Sequence, residues 1–199
     1  MQKYKFIIID PANGRLQPGR RSLPFAYKSK IVQFEEWEFA MDIANIIYNE
    51  FFYRKVYATI LNTCWSGNHT KYSINYINAF SNYHGPENVF FISIRSNAVN
   101  RRGWFDTSGV TTIYYNAREE AEVFQRHITS ALKAYGFKDR GVKYRRNVSI
   151  LKNTLCKGII TQTGYYTNIN EAMRLMDVNL RYEIAHAHVN AIKELCGWQ

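Results

Sequence analysis

Three runs of apolar residues are each followed by a short polar segment. These polar segments contain the side chains that could bind a metal or take part in catalysis. The first run, residues 6–9, ends in Asp10-Pro11-Ala12-Asn13-Gly14. The second, residues 89–94, ends in Arg95-Ser96-Asn97-Ala98, and the third, residues 158–162, leads into a loop up to Asn168. Loops at the carboxyl edge of a parallel sheet often carry functional residues. We therefore expect a site there, the structural alternative being ordinary tight turns after core strands.

The histidines and cysteines form no recognisable catalytic or metal-binding set. His186 and His188 stand two residues apart in a predicted helix, so they point to different sides, unlike a chelating pair four residues apart. Cys64 lies near His69, but without the local signature of a thiol nucleophile. The cysteines are odd in number and widely spaced, which favours packed free thiols over a disulfide framework. They are Cys64, Cys156 and Cys196.

Strands that alternate with amphipathic helices position these segments. We predict strands at 6–9, 56–61, 88–94, 110–115, 148–151 and 158–162. Helices are predicted at 35–52, 72–83, 117–135, 169–176 and 180–195, and a basic loop at 139–146. No linker or repeat divides the chain. This order predicts a single α/β domain over residues 1–199, with a mixed, mostly parallel central sheet of about six strands and helices on both faces.

The formal net charge of +10 at pH 7 is compatible with an anionic partner, which could be nucleic acid, an anionic cell-wall polymer or an acidic protein. The alternative for each group of basic residues is an ordinary solvated surface. Nucleic acid is possible from the charge alone, because no aromatic RNA-binding motif, helix-turn-helix or zinc finger accompanies the basic residues. No apolar run has the length of about 18 residues that a membrane span needs. The N-terminal apolar segment is cut short by Asp10 and Pro11, so it predicts a strand rather than a signal peptide.

The sequence resembles the zinc-dependent N-acetylmuramoyl-L-alanine amidases of the Amidase_3 type. The similarity rests on short segments in the order and approximate spacing of that family, and it covers nearly the whole chain. The segments are residues 7–14, 35–44, 91–98, 139–143 and 161–168. The resemblance implies an α/β domain of the zinc-amidase type, with a zinc site at the carboxyl edge of the sheet, and an activity that cleaves an amide bond of peptidoglycan.

The residues at the family's chemical positions have changed. In that family a histidine in the turn after the first strand binds zinc, and Asn13 stands there in this chain. A glutamate at the start of the long helix is a second ligand and resembles Glu36. A histidine in a Ser-Ile-His-x-Asn-Ala motif is the third ligand, and Arg95 stands in its place. The catalytic glutamate of a Glu-x-Gly-Phe-x-x-Asn motif is replaced by Gln162.

These changes predict that zinc has been lost and that no cofactor replaces it. A catalytic zinc needs about three protein ligands and an open position, and Glu36 alone remains a credible one. Arg95 has no lone pair to donate, and the amide of Gln162 cannot carry a proton between groups. We expect an ion pair between Arg95 and Glu36, hydrogen-bonded by Asn13 and Gln162, at the former metal site. Random or engineered inactivation is the competing explanation.

The resemblance therefore implies a catalytically silent amidase homologue that binds peptidoglycan or a protein partner. Residues of the retained motifs, Asn97, Tyr165 and Asn168, are the candidate binding residues. Relatives of this size often come from bacteriophages, so we expect a virion-associated, lysis-associated or cytoplasmic protein. The alternative is an active amidase, with an atypical metal site, that hydrolyses the bond between the lactyl group of muramic acid and L-alanine.

Overall fold

A six-stranded sheet lies at the centre of the computed structural model, which describes residues 3–11, 13, 20–52, 57–60, 69–100 and 103–198. Two further short strands, β2 and β3, pair with each other as an antiparallel hairpin. In chain order the strands are β1 (Phe6–Pro11), β2 (Phe25–Tyr27), β3 (Lys30–Val32), β4 (Tyr57–Ile60), β5 (Val89–Asn97), β6 (Val110–Tyr114), β7 (Asp139–Tyr144) and β8 (Lys157–Tyr165).

The strand order of the central sheet is β4-β1-β5-β8-β6-β7. Neighbouring strands run parallel, except that β6 runs antiparallel to β8. The sheet is therefore mixed and mostly parallel, as predicted. Because β1, β5 and β8 run side by side in one direction, their carboxyl ends meet at one edge. The register places Asp10 beside Ser93, and Arg95 beside Gln162, at this edge.

Helices cover both faces of the sheet, which confirms the predicted layered α/β architecture. On one face α1, α3 and α6 pack together, and on the other α2 packs against α4. No helix in the described part of the chain is long and apolar enough to cross a membrane. The helices are α1 (Glu36–Phe52), α2 (His69–His84), α3 (Arg118–Leu132), α4 (Ser149–Lys152), α5 (Ile169–Leu175) and α6 (Val178–Cys196).

The apolar core divides into two clusters, one on each face of the sheet. Successive side chains of a strand point to opposite faces, and β1 shows this directly. Ile7 and Ile9 belong to the larger cluster with α1, α3 and α6, whereas Ile8 belongs to the smaller cluster with Phe91 and Ile160. Burial on both faces explains the continuous apolar runs at residues 7–9 of β1 and 89–92 of β5.

Two of the predicted elements are wrong. The segment 139–146, predicted as a basic loop, contains β7, the edge strand beside β6. Basic side chains are compatible with an edge strand because they discourage pairing with another chain. The segment 148–151, predicted as a strand, contains the one-turn helix α4. Its adjacent side chains Ile150 and Leu151 are both buried in the smaller cluster, which a strand with one covered face could not achieve.

Gly158 of β8 provides a test of the packing between β5 and β8. It lies beside Phe91, and a Cβ atom at this position would overlap the Phe91 ring. We expect Gly158→Ala to lower the free energy of unfolding by about 1–3 kcal/mol, since an added methylene overpacks the core. Equilibrium denaturation in urea measures the effect.

Gly103→Ala is the matched control for Gly158→Ala. A Cβ at Gly103 would meet the Phe105 ring at 3.5 Å, an ordinary van der Waals contact. We expect little change in stability for this variant. Equal denaturation midpoints for the two variants would contradict the close packing of β8 on Phe91.

Candidate functional site

Glu36, the first residue of α1, is fully buried near the carboxyl edge of the sheet. The chain before it is fixed by backbone contacts, because Glu36 donates its N–H to the carbonyl of Arg20 at 3.0 Å. A bridge between Arg21 and Glu35 continues this pairing. A carboxylate in the first turn of a helix also interacts favourably with the helix dipole. This backbone pairing therefore places Arg20 and Glu36 next to each other in the site.

Both oxygens of the Glu36 carboxylate accept hydrogen bonds. The side-chain amide of Asn13 donates to Oε2 at 2.5 Å, and the backbone N–H of Ser96 donates to Oε1 at 3.0 Å. The guanidinium Nε of Arg20 lies 3.7 Å from Oε2. These contacts bring together residues that follow β1, precede α1 and end β5. They satisfy a buried charge that would otherwise be costly.

Asn13 reaches Glu36 from a backbone conformation that few residues adopt. Its φ angle is 66°, in the left-handed region. Asparagine is enriched among non-glycine residues in this region because its short polar side chain can bond locally. The turn after β1 is thus compatible with a side chain that points at α1.

Arg95 belongs to a second buried network, centred on Asp10. Arg95 donates from Nε to the hydroxyl of Ser93 at 3.1 Å, and Ser93 donates to Oδ2 of Asp10 at 2.6 Å. Ser73 of α2 donates to Oδ1 of Asp10 at 3.1 Å. Asp10 is fully buried. The network therefore links Arg95 to β1 and to the helix on the opposite face from α1.

The charges of the two networks influence each other. Burial raises the pKa of Glu36, and the positive charges of Arg20 and Arg95 act against that rise. Burial lowers the pKa of Arg95, and the charges of Asp10 and Glu36 act against that fall. An arginine keeps its charge under such conditions. Among the described contacts, the ion pair of Glu36 is with Arg20. The predicted direct ion pair between Arg95 and Glu36 stays a prediction.

Gln162 pairs with Asn97 rather than with Glu36 in the described contacts. The side-chain amide of Asn97 donates to Oε1 of Gln162 at 3.1 Å, and its own oxygen accepts from the backbone N–H of Ala98 at 2.8 Å. Both side chains border a polar cavity of about 260 Å³, here named the edge pocket. The edge pocket is lined by Arg20, Ser96, Asn97, Ala98, Val99, Asn100, Gln162 and Tyr166.

The other candidate binding residues, Tyr165 and Asn168, have structural contacts. Asn168 caps α5, since its side-chain oxygen accepts from the backbone N–H groups of Asn170 and Glu171. Tyr165 is buried, and the guanidinium of Arg140 lies 5.5 Å from the centre of its ring. Their predicted role in ligand binding stays a prediction.

Glu171 is a buried carboxylate that the sequence predictions did not identify. It accepts hydrogen bonds from the backbone N–H groups of Tyr165 at 2.7 Å and Gly109 at 2.8 Å. It thereby joins the last residue of β8 to the residue that precedes β6. Burial raises its pKa to about 7, against the two hydrogen bonds and the charges of Arg174 and Arg140. An acidic residue three positions after the cap Asn168 was the available signal.

The residues at the family's metal positions do not fit a zinc ion. Asn13 donates its side-chain N–H to Glu36, and Arg95 offers donors and no lone pair, so Glu36 is the one anionic ligand among the three positions. Among residues 3–11, 13, 20–52, 57–60, 69–100 and 103–198, no group of three His, Cys, Asp or Glu side chains is arranged to hold a metal. Three such ligands are typical of a catalytic zinc site.

The histidines and cysteines with described side chains are used in packing or at the surface. His188 is fully buried, contacts Thr161 and the Ile184 carbonyl, and burial lowers its pKa to about 4. Burial raises the pKa of the Cys156 thiol to about 11 and that of Cys196 to about 12. Such thiols are inert near neutral pH. Cys64 and the side chain of His69 lie outside the described residues.

Basic residues cluster on β7 and the segment after it. Partial burial lowers the pKa of Lys143, and the charges of Arg140 and Arg145 lower it further. The cations therefore lie close enough to repel one another. A surface of this kind attracts polyanions in general. The prediction of nucleic-acid binding continues to rest on charge alone.

The fold and the order of the site residues define an amidase-like α/β domain. The catalytic domain of the N-acetylmuramoyl-L-alanine amidase CwlV from Bacillus (Paenibacillus) polymyxa var. colistinus superposes with a TM-score of 0.77 at 20% identity, covering 98% of this chain and 99% of that one. At this identity the similarity shows the fold. The family model for N-acetylmuramoyl-L-alanine amidase, Amidase_3, matches residues 7–194. The chain therefore belongs to this amidase family.

Two curated relatives extend the comparison. The N-acetylmuramoyl-L-alanine amidase CwlM of Bacillus licheniformis is 27% identical over 191 residues, which is 94% of this chain and 66% of that protein. The endolysin of Bacillus phage SPP1 is 28% identical over 107 residues, covering 53% of this chain and 39% of the endolysin. The alignments thus span less than two thirds of each relative's length.

The raised pKa of Glu171 predicts how the pH dependence of stability changes in Glu171→Gln. The folded-state pKa of about 7 exceeds the ordinary 4.5, so the folded protein binds this proton more tightly than the unfolded chain. The wild type then loses stability as pH rises from 4.5 to 7, whereas the glutamine does not titrate. We expect the stability of the variant relative to wild type to increase over this interval by on the order of 3 kcal/mol.

Urea denaturation of both proteins at pH 5 and pH 8 measures this difference. At pH 5 the variant should be the less stable protein, because glutamine has one acceptor oxygen for the two backbone N–H groups. The test is whether this difference becomes smaller between pH 5 and pH 8. The matched control is Glu119→Gln on α3, an exposed glutamate whose replacement should leave the pH dependence nearly unchanged. A wild type that gains stability relative to the variant as the pH rises would contradict the raised pKa of Glu171.

Proposed function

We propose that this chain is a catalytically silent member of the amidase family that binds peptidoglycan. The observation that carries the proposal is the guanidinium of Arg95, which is hydrogen-bonded to Ser93 and stands at a metal-ligand position of the family. A permanent cation at that position repels a divalent metal instead of binding it. Asn13 is engaged with Glu36, so it supports the same conclusion.

The loss of the proton-transfer group supports the proposal independently of the metal. Hydrolysis of an amide needs a group that accepts a proton from the attacking water and gives one to the leaving nitrogen. Gln162 stands at the position of the family's catalytic glutamate, and its amide does not titrate near neutral pH. Its oxygen is further occupied by Asn97. The residues present can bind and orient a ligand, but they lack a base.

The retained fold is the reason to propose binding rather than no function. The carboxyl edge of β1, β5 and β8 keeps a polar pocket bordered by the motif residues Asn97 and Gln162. The family acts on peptidoglycan, so a ligand from the cell wall is the simplest candidate for that pocket. Similarity to a phage endolysin supports a virion-associated or lysis-associated location. A structural protein partner at the same surface is the alternative outcome.

The metal content and activity of the purified protein test the proposal. We expect no stoichiometric zinc by plasma mass spectrometry after incubation with zinc and dialysis. We also expect no release of peptides from purified cell walls, together with sedimentation of the protein with those walls. About one zinc per chain with peptide release would overturn the proposal.

Restoring the family residues provides a sharper version of this test. In Asn13→His/Arg95→His/Gln162→Glu, two imidazoles join Glu36 as ligands, and we expect binding of about one zinc per chain. The matched control is Asn13→His/Gln162→Glu, which retains the guanidinium of Arg95 and should stay free of zinc. Zinc binding by the control equal to that of the triple variant would show that Arg95 does not exclude the metal.

A further inference from the structure

We propose that the edge pocket binds an ionised carboxylate of a peptidoglycan fragment, through hydrogen-bond donors that the site leaves available. The inference rests on the proposed function, because it names the chemical group that the silent domain recognises. Its basis is an imbalance between donors and acceptors in the two networks around the pocket.

The acceptors of the site are engaged by internal hydrogen bonds. The carboxylate oxygens of Asp10 accept from Ser73 and Ser93, and those of Glu36 accept from Asn13 and Ser96. The amide oxygens of Gln162 and Asn97 accept in the same way, from Asn97 and from the Ala98 N–H. Each acceptor side chain of the site therefore already has at least one internal donor.

Several hydrogen-bond donors at the pocket, unlike the acceptors, have no described hydrogen bond. The Oγ of Ser96 is buried and has no hydrogen-bond partner among the described residues. The described contact of Gln162 uses its oxygen, so the amide NH₂ group remains available for a ligand. Both residues line the edge pocket. A buried hydroxyl without a partner is uncommon in native structures and calls for a ligand or water.

Two guanidinium groups add charged hydrogen-bond donors to this set, and Asp10 and Glu36 balance their positive charges. The described side-chain contacts of Arg20 and Arg95 both involve Nε, with Glu36 and Ser93 respectively. Their terminal nitrogens have no hydrogen bond within the described part of the chain. Arg20 lines the pocket, and Arg95 lies beside Gln162 in the sheet. A guanidinium binds a carboxylate through two parallel hydrogen bonds when its terminal nitrogens are free.

An ionised carboxylate matches these properties, because it accepts hydrogen bonds and donates none. The cavity of about 260 Å³ is large enough for a small acidic group and too small for a folded polymer segment. Peptidoglycan fragments offer two sources of this chemistry, the lactyl carboxylate of muramic acid that carries no stem peptide and the acidic residue of the stem peptide. Both present the same charged group to the pocket, so the experiment separates them.

Nuclear magnetic resonance titration of the isotope-labelled full chain tests the inference. The probes are N-acetylmuramic acid, the dipeptide L-alanyl-D-glutamate and N-acetylglucosamine, which is the matched neutral sugar without the lactyl group. We expect saturable shifts of the side-chain amide signals of Gln162 and Asn97 with at least one acidic probe, and none with the neutral sugar. The acidic probe that binds identifies the source of the carboxylate.

Variants connect the binding to the pocket. Gln162→Glu replaces a donor with a negative charge, and we expect it to weaken binding by about tenfold or more, as like charges repel. Arg20→Gln removes a cation and should weaken binding similarly. The matched control is Asn190→Asp on α6, an exposed position outside the pocket lining that gains the same charge. It should leave the affinity unchanged.

The possible outcomes separate this inference from the proposed function. Binding to whole cell walls without a response to either acidic probe overturns the inference and leaves the proposed function standing. Equal shifts with N-acetylglucosamine, or tighter binding of inorganic phosphate than of both carboxylates, also overturn it. Absence of binding to cell walls overturns the proposed function itself, whatever the small probes do.

Discussion

The burial of the Glu36 carboxylate is the constraint on which the site depends. A carboxylate without solvent contact must have its oxygens hydrogen-bonded and its charge balanced, since an uncompensated buried charge strongly destabilises a fold. Asn13, Ser96 and Arg20 meet this requirement from three separate segments of the chain. One buried group therefore fixes the turn after β1, the end of β5 and the entry to α1 relative to each other.

The Asp10 network adds a second constraint, and Arg95 connects the two. Arg95 is bound through Ser93 to Asp10, while its charge also stabilises the ionised form of Glu36. In electrostatic terms a guanidinium at this position supplies the positive charge that two buried carboxylates need. It cannot polarise a carbonyl or activate water as a bound metal does. The replacement of an imidazole by Arg95 that the resemblance implies is thus compatible with a stable site.

The sequence predicted the elements whose signals are local and strong. Burial on both faces gives β1 and β5 continuous apolar runs, β8 contains the buried pair Ile159 and Ile160, and the long helix α1 has a clear apolar face, so the sequence predicted these elements. It failed for β7, whose basic residues are typical of a loop, and for α4, which is one turn long. Arg20 was missed because its contact with Glu36 depends on tertiary structure that carries no local pattern.

The direction of the hydrogen bonds limits what the retained pocket can recognise. A metal-dependent hydrolase places electron-pair donors around a cation, so its site is rich in acceptors. Here the corresponding oxygens accept from protein N–H and O–H groups, and the amide of Gln162, the hydroxyl of Ser96 and the guanidinium groups remain as donors. A fold does not fix the chemistry of its site, so the same backbone can carry a site rich in acceptors or, as we propose for this chain, one whose available groups are donors suited to an anion.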